Sequence, residues 1–117
     1  MRWYHRLQRS GEIAFVRRRG KPAGRETLDA YAAPGGGRDT RIAVSVSKAV
    51  GNAVVRNLVR RRIRGALDAC DPLEAGIRLL IVAKPAAAAA SFMGLAGDVS
   101  AVLDRLSAAA GRLPAKR

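Results

Sequence analysis

Cysteine and histidine are nearly missing from these 117 residues: Cys70 is the only thiol and His5 the only imidazole. One cysteine can neither close an internal disulfide nor build a cysteine zinc site; it suits a reducing, cytoplasmic setting. One histidine leaves no histidine metal cluster and no Ser–His relay. Acids are scarce as well, nine Asp and Glu against 22 Lys and Arg. Asp29, Asp39, Asp68 and Asp71 form no paired-carboxylate motif of the kind a metal-dependent nuclease needs. No apolar run approaches the ~18 residues of a transmembrane helix. The basic N-terminus has no apolar signal-type core before Glu12. A GxxxxGK phosphate loop is lacking, and Gly35-Gly36-Gly37 has no strand–loop–helix setting. These gaps exclude bond-making chemistry by the chain's own side chains.

What is present is positive charge. The formal net charge is +13, and self-repulsion on that scale in one small domain calls for a polyanionic partner. The charge is unevenly spread. Residues 1–25 hold eight basic residues against one acid, and residues 41–64 hold seven against none. From 65 onward six basic residues meet five acids, so the basic surface comes from the first and middle segments.

Periodicity divides the chain into short elements. Residues 10–18 read as a helix with Ser10 as its cap and Gly20 as its stop. Residues 27–33 alternate as a strand, with Leu28, Ala30 and Ala32 on one face and Asp29 and Tyr31 on the other. Residues 41–47 form a clearer strand: Ile42, Val44 and Val46 face one way, Ala43, Ser45 and Ser47 the other. Asn52 caps a helix that runs to about Cys70, where Asp71-Pro72 disfavours continuation. Residues 77–83 are a buried strand ended by Pro85. Ala86 to Ala90 is helix-favouring filler, and Leu95, Val99, Val102, Leu103 and Leu106 have helical spacing. With a further strand pairing within 20–33, the order is α-β-β-β-α-β-α, an α+β sandwich of helices on a small sheet. The whole chain, 1–117, is one domain with loose termini at about 1–4 and 111–117.

The middle helix carries the argument. Val55, Val59, Ile63, Ala66 and Cys70 gather in one sector and pack on the sheet. Arg56, Arg60 and Arg64 recur every fourth residue on another face, beside a stripe of Asn57 and Arg61. Like charges four apart cost a helix a few tenths of a kcal/mol per pair, about 0.2–0.5. A solvated structural helix would interleave glutamates; this run has none, so phosphates are the simplest source of counter-charge. A merely solvated basic face is the alternative.

The stretch "VSVSKAVGNAVVRNLVRRRIR", residues 44–64, resembles the signature of the bacterial ribonuclease P protein family, roughly V-S-K-K-x-G-N-A-V-x-R-N followed by R-x-K-R-x-x-R. Arg6-Leu7 with residues 12–20 is similar to that family's opening helix, and "IVAKPAA", residues 81–87, to its V-x-A-[RK]-x-A-A segment. The resemblance implies a small α/β sandwich with a left-handed β-α-β crossover through the arginine helix, against the usual hand. It implies the auxiliary subunit of an endoribonuclease that removes the 5′ leader from precursor tRNA. Catalysis belongs to the large RNA subunit and its Mg2+ ions, and no metal ligand of the protein is assigned. Partners would be ribonuclease P RNA, bound by one protein monomer, and precursor tRNA, with no DNA and no membrane.

By position, the resemblance assigns contact with the catalytic RNA to Lys48, Arg56, Asn57, Arg60, Arg61 and Arg64. It puts Ile13, Arg17, Tyr31, Ser45 and Ser47 at a leader-binding cleft. Tyr31 suits stacking of an unpaired base, though a half-buried strand residue is an equal reading. The sequence departs from the pattern at three places. Leu58 stands where a second arginine usually follows Arg-Asn, and Arg62 stands where the family is apolar, so Arg62 is expected to replace that cation one turn along. Ile13 and Arg17 occupy the positions of two cleft aromatics, with Phe15 pointing elsewhere. Ala49 replaces the signature's second lysine.

Composition alone equally admits a ribosomal or assembly protein that scaffolds RNA; "GNAVVRN" separates the two through the resemblance. A helix–turn–helix DNA reader is disfavoured because strands flank the arginine helix. Membrane binding lacks a bulky apolar face beside the charges.

Overall fold

The computed structural model describes residues 3–35, 37–73 and 76–108. The order is β1 (His5–Arg6), α1 (Ser10–Arg19), β2 (Lys21–Gly24), β3 (Leu28–Pro34), β4 (Arg41–Ser45), α2 (Ala53–Asp68), β5 (Ile77–Ala83), a 3-10 turn (Pro85–Ala88) and α3 (Phe92–Ala108). The strands form one sheet in the order β1-β4-β5-β3-β2. β4 and β5 are parallel neighbours, and the crossover between them passes through α2. β3 runs antiparallel to both β5 and β2, and β1 lies parallel to β4 at the edge.

The sheet separates two unequal clusters. On its inner face Leu28, Ala30 and Ala32 of β3 meet Ile42, Leu79, Ile81 and Ala83, all buried. Against them pack Val59, Ile63, Ala66 and Leu67 of α2 and Leu95, Val99, Val102, Leu103 and Leu106 of α3. Burying each such Val, Leu or Ile contributes about 1.5–3 kcal/mol, so this layer dominates the stability. The outer cluster is smaller: Leu7, Val16, Ala33, Ala43 and Leu80, with Ile13, Tyr31 and Val82 half-buried around it. α1 covers only part of this outer face.

Several expectations need correction. Ser10 is already helical and is no cap; Arg9 precedes the helix in extended conformation and makes no side-chain capping bond. Arg6 and Leu7 precede α1, with Arg6 in β1. That two-residue strand has no period to reveal it; pairing with β4 creates it. β4 ends at Ser45, because the chain turns away, with Val50 N–H donating to the Ser47 carbonyl at 3.1 Å. Trp3 and Tyr4 are not loose: Trp3 Nε1–H donates to the Leu67 carbonyl at 2.9 Å, and Tyr4 is buried. Met1, Arg2 and residues 111–117 lie outside the described residues. The alanine run begins in a 3-10 turn, Pro85–Ala88, whose Ala87 is fully buried, so it packs as well as fills.

One polar knot ties α3 to the sheet. Asp98 accepts from Thr27 Oγ1 at 2.6 Å, from Thr27 N–H at 3.1 Å and from Arg25 Nε at 3.3 Å. Burial pushes the Asp98 carboxyl up, but the Thr27 and Arg25 hydrogen bonds outweigh it and hold the carboxyl below its ordinary value.

Candidate nucleic-acid interface

α2 starts where Asn52 Oδ1 accepts from Val55 N–H at 3.0 Å. Its core face is fixed by Val59, Ile63, Ala66 and Leu67. At ~100° per residue this leaves two flanks, and the arginines divide between them. Asn57, Arg60, Arg61 and Arg64 fall on the flank toward β1. There they line one open cavity of about 530 Å³ together with Arg6. Among the described residues four cations and an amide line it, and no carboxylate does. Arg60 Nη1 donates to Asn57 Oδ1 at 2.9 Å, which holds one guanidinium in place. Arg56, one turn earlier, is half-buried with its Nε enclosed, and Lys48 is exposed in the turn before the helix. Arrays of fixed guanidinium groups without acids bind phosphate oxygens by charge-assisted hydrogen bonds.

Arg6 was not foreseen as part of this set. It stands 51 positions before Asn57, and only the pairing of β1 with β4 brings it beside the helix. The one available signal was its place in the basic N-terminal segment.

Arg62 goes elsewhere. It lies on the opposite flank, half-buried, and Nη1 donates to the Ala90 carbonyl at 3.1 Å, bracing α2 against the turn before α3. It is therefore not one more cation of the cavity. Leu58, one turn earlier, is 36% exposed and supplies only partial packing. On this flank a second concavity of about 450 Å³ runs between α2 and α3, with Ala69, Cys70, Leu73, Phe92, Asp71 and Asp104 in its wall. Burial, then the Asp104 and Asp71 charges, push the Cys70 thiol above its ordinary value.

The expected leader cleft falls on the outer face of the sheet. Tyr31, Leu80 and Ala43 form one row across β3, β5 and β4, and Asp29, Val82 and Ser45 the next. Ile13 of α1 and Tyr31 both flank the outer cluster, half-buried. Arg17 is exposed one turn along from Ile13. Ser45 is half-exposed at the end of β4; Ser47 is beyond the strand and exposed. Phe15 is 45% exposed and outside the cluster. Lys84 Nζ meets Asp29 Oδ1 at 3.0 Å, so a cation sits at the open row as well. Among the described residues no group of three or more His, Cys, Asp or Glu is placed to hold a metal ion, and no helix is long and apolar enough to cross a membrane.

Comparison with known proteins gives a consistent result. The family described as Ribonuclease P matches residues 1–107. The chain is 41% identical over 114 residues to the ribonuclease P protein component of Arthrobacter sp. (strain FB24), covering 94% of this chain and 83% of that relative. It is 40% identical over 114 residues to that of Streptomyces bikiniensis, covering 87% and 91%. The solved structure of the Staphylococcus aureus RNase P protein superposes with a TM-score of 0.77 at 21% identity, over 86% of this chain and 94% of that one. The Thermotoga maritima RNase P protein does so with a TM-score of 0.71 at 17% identity, over 86% and 96%. Both have the fold described above.

Proposed function

The chain belongs to the ribonuclease P protein family and is the protein subunit of that endoribonuclease, and from this premise we propose how its surface is divided between two RNAs. The catalytic RNA binds the arginine flank of α2. Arg60, Arg61 and Arg64 take its phosphates, with Arg6 from β1 closing the cavity and Asn57 orienting Arg60. Arg56 and Lys48 extend the contact toward the start of the helix. The observation that carries this reading is the carboxylate-free cavity lined by four arginines from two distant segments.

The 5′ leader of precursor tRNA lies in the groove on the outer face of the sheet. Ile13 gives it an apolar wall, Tyr31 a ring for one unpaired base, and Arg17 a guanidinium for phosphate contact or stacking. Ser45 and Ser47 offer hydroxyls at its far end. Hydrolysis itself is the RNA's, with Mg2+ held by RNA phosphates; the protein raises substrate affinity and contributes no catalytic side chain. It acts as a monomer with one RNA, in the cytoplasm.

Precursor-tRNA cleavage at low Mg2+ tests this. A bacterial ribonuclease P RNA alone is expected to be weak, the protein alone inactive, and the two together strongly active. Salt-sensitive RNA binding without stimulation would replace the holoenzyme reading with a scaffold. If about five phosphates are neutralised, log affinity falls with log salt at a slope near −4 to −5. A slope near −1 would remove most of these arginines from the contact.

A further inference from the structure

Arg78 belongs to neither RNA surface, yet it is more enclosed than its partners: its side chain is 12% exposed, against 36% for Glu12. It stands on the outer face of β5, in register with Ala33 of β3 and Arg41 of β4. Nε donates to Glu12 Oε2, in the first turn of α1, at 3.3 Å. Nη1 donates to the Asp39 carbonyl, on the connection between β3 and β4, at 2.6 Å. The guanidinium also lies against Gly35, where a Cβ would stand 2.5 Å from its Cζ. A side chain there would force the guanidinium to shift.

The other end of α1 is fixed by the chain itself. Gly20 N–H donates to the Val16 carbonyl at 2.7 Å, and the next residue, Lys21, already pairs with Ala32 of β3. So α1 is held at its C-terminal end by its continuation into β2, and at its N-terminal end by β1, whose Leu7 N–H donates to the Ile42 carbonyl at 3.0 Å, and by the Arg78–Glu12 pair, the one of these holds that grips the first turn of the helix through a side chain. Ile13 and Arg17 lie between these two ends.

We propose that Arg78 is a positioning residue for the leader groove: through Glu12 it fixes how α1 lies over the sheet, and so sets the gap between Ile13 and Arg17 on one side and Tyr31 on the other. The inference rests on the leader-groove reading above. Arginine suits the task because one planar group serves a carboxylate and a carbonyl on two different segments; a lysine ammonium is a single point of charge on a flexible stem. Arg78 also neutralises Glu12, whose free carboxylate would repel an anionic leader from the edge of the groove.

The test uses the reconstituted holoenzyme at fixed Mg2+ and two precursors, one with a long leader and one with a single-nucleotide leader. Wild-type protein is expected to lower KM for the long leader more than for the short one. Arg78→Met is expected to raise KM for the long leader about tenfold, equivalent to ~1.4 kcal/mol of leader binding. Its kcat, its KM for the short leader and its affinity for the catalytic RNA stay at wild-type values. Arg78→Lys recovers part of the loss. Glu12→Gln, which leaves the bond to Asp39 intact, reproduces a smaller version of it and serves if Arg78→Met does not fold. General destabilisation would instead weaken RNA binding and both substrates together, and that result overturns the proposal. A preserved long-leader advantage in both variants also overturns it and leaves the groove standing. If wild-type protein shows no long-leader advantage, the groove reading fails and takes the proposal with it.

Discussion

Arg61 and Arg62 are neighbours in sequence and belong to opposite flanks of one helix. Arg61 lines a cavity with Arg6, Arg60 and Arg64, while Arg62 spends its guanidinium on the Ala90 carbonyl. The first flank has four arginines and no acid in its cavity; the second has Asp71 and Asp104 in its concavity and a thiol pushed upward partly by them. A protein of net charge +13 thus has one helix with a strongly positive side and, on the other side, a concavity whose acids come from the segment after the helix and from α3. Charge density along a sequence does not assign function. The angle about the helix axis does, because it decides whether a cation meets solvent or a backbone carbonyl.

The largest effect should come from emptying the positive flank. Replacing Arg60, Arg61 and Arg64 together by alanine removes three charge-assisted contacts of about 1.5 kcal/mol or more each, so affinity for ribonuclease P RNA should fall on the order of a thousandfold. The salt slope should become shallower by about 2.7, at ~0.9 per phosphate. Thermal unfolding of the free protein should change little, since relief of like charges four apart offsets loss of contacts such as the exposed Arg60–Asn57 bond. Filter binding across a salt series checks all three. Normal affinity with an unchanged slope would detach this flank from RNA.

The core face between the flanks gives the converse. Ile63 is fully buried, and Ile63→Ala should cost about 2–5 kcal/mol of stability by deleting packed methyl groups. Denaturant unfolding measures the loss. Below the melting transition the salt slope of RNA binding should keep its wild-type value, because no phosphate contact is removed.

The single pair Arg60→Ala and Arg62→Ala sharpens the contrast at smaller magnitude. Arg60→Ala should weaken RNA binding about tenfold, the value of one modest charged hydrogen bond, and leave stability alone. Arg62→Ala should do the reverse: about 1 kcal/mol of stability lost with the bond to Ala90, and RNA affinity within about twofold. Equal losses of affinity in the two variants would return Arg62 to the RNA surface, as replacement for the cation missing at Leu58.

The same pair marks how far the sequence could be read. The core face of α2 was legible from Val59, Ile63 and Ala66, its start from Asn52, and the bounds of β5 from its apolar run. These depend on periodicity or on bonds within a few residues. The angular separation of Arg62 from Arg60 was computable too, but what waits on that side was not: Ala90 is 28 residues away and its carbonyl lies just after a 3-10 turn that no period announces. Arg6 was hidden for the same reason, since β1 exists only through pairing with β4. The hold of Arg78 on Glu12 spans 66 residues and is likewise a product of tertiary placement.

The smallest expected effect tests the flank of Cys70 directly. Burial and the Asp104 and Asp71 carboxylates raise the Cys70 thiol, so at any pH near 8 less of it is thiolate than in an unfolded chain, and alkylation should be slower in the folded protein. The linked stability has a definite sign. It is complete below the unfolded thiol value, about 8.5, and is lost as pH rises through the higher folded value, because only the unfolded chain ionises freely. Cys70→Ala should therefore flatten the alkaline limb of stability and leave the neutral region unchanged apart from packing. Saturating ribonuclease P RNA should leave the Cys70 alkylation rate within about twofold, since the proposed RNA contact is on the other flank and a flank it does not touch keeps its solvent access. A cysteine placed by Asn57→Cys in the Cys70→Ala background should be strongly protected by the same RNA. Protection of both thiols would mean that the RNA wraps the helix end, and the two flanks would then be one surface.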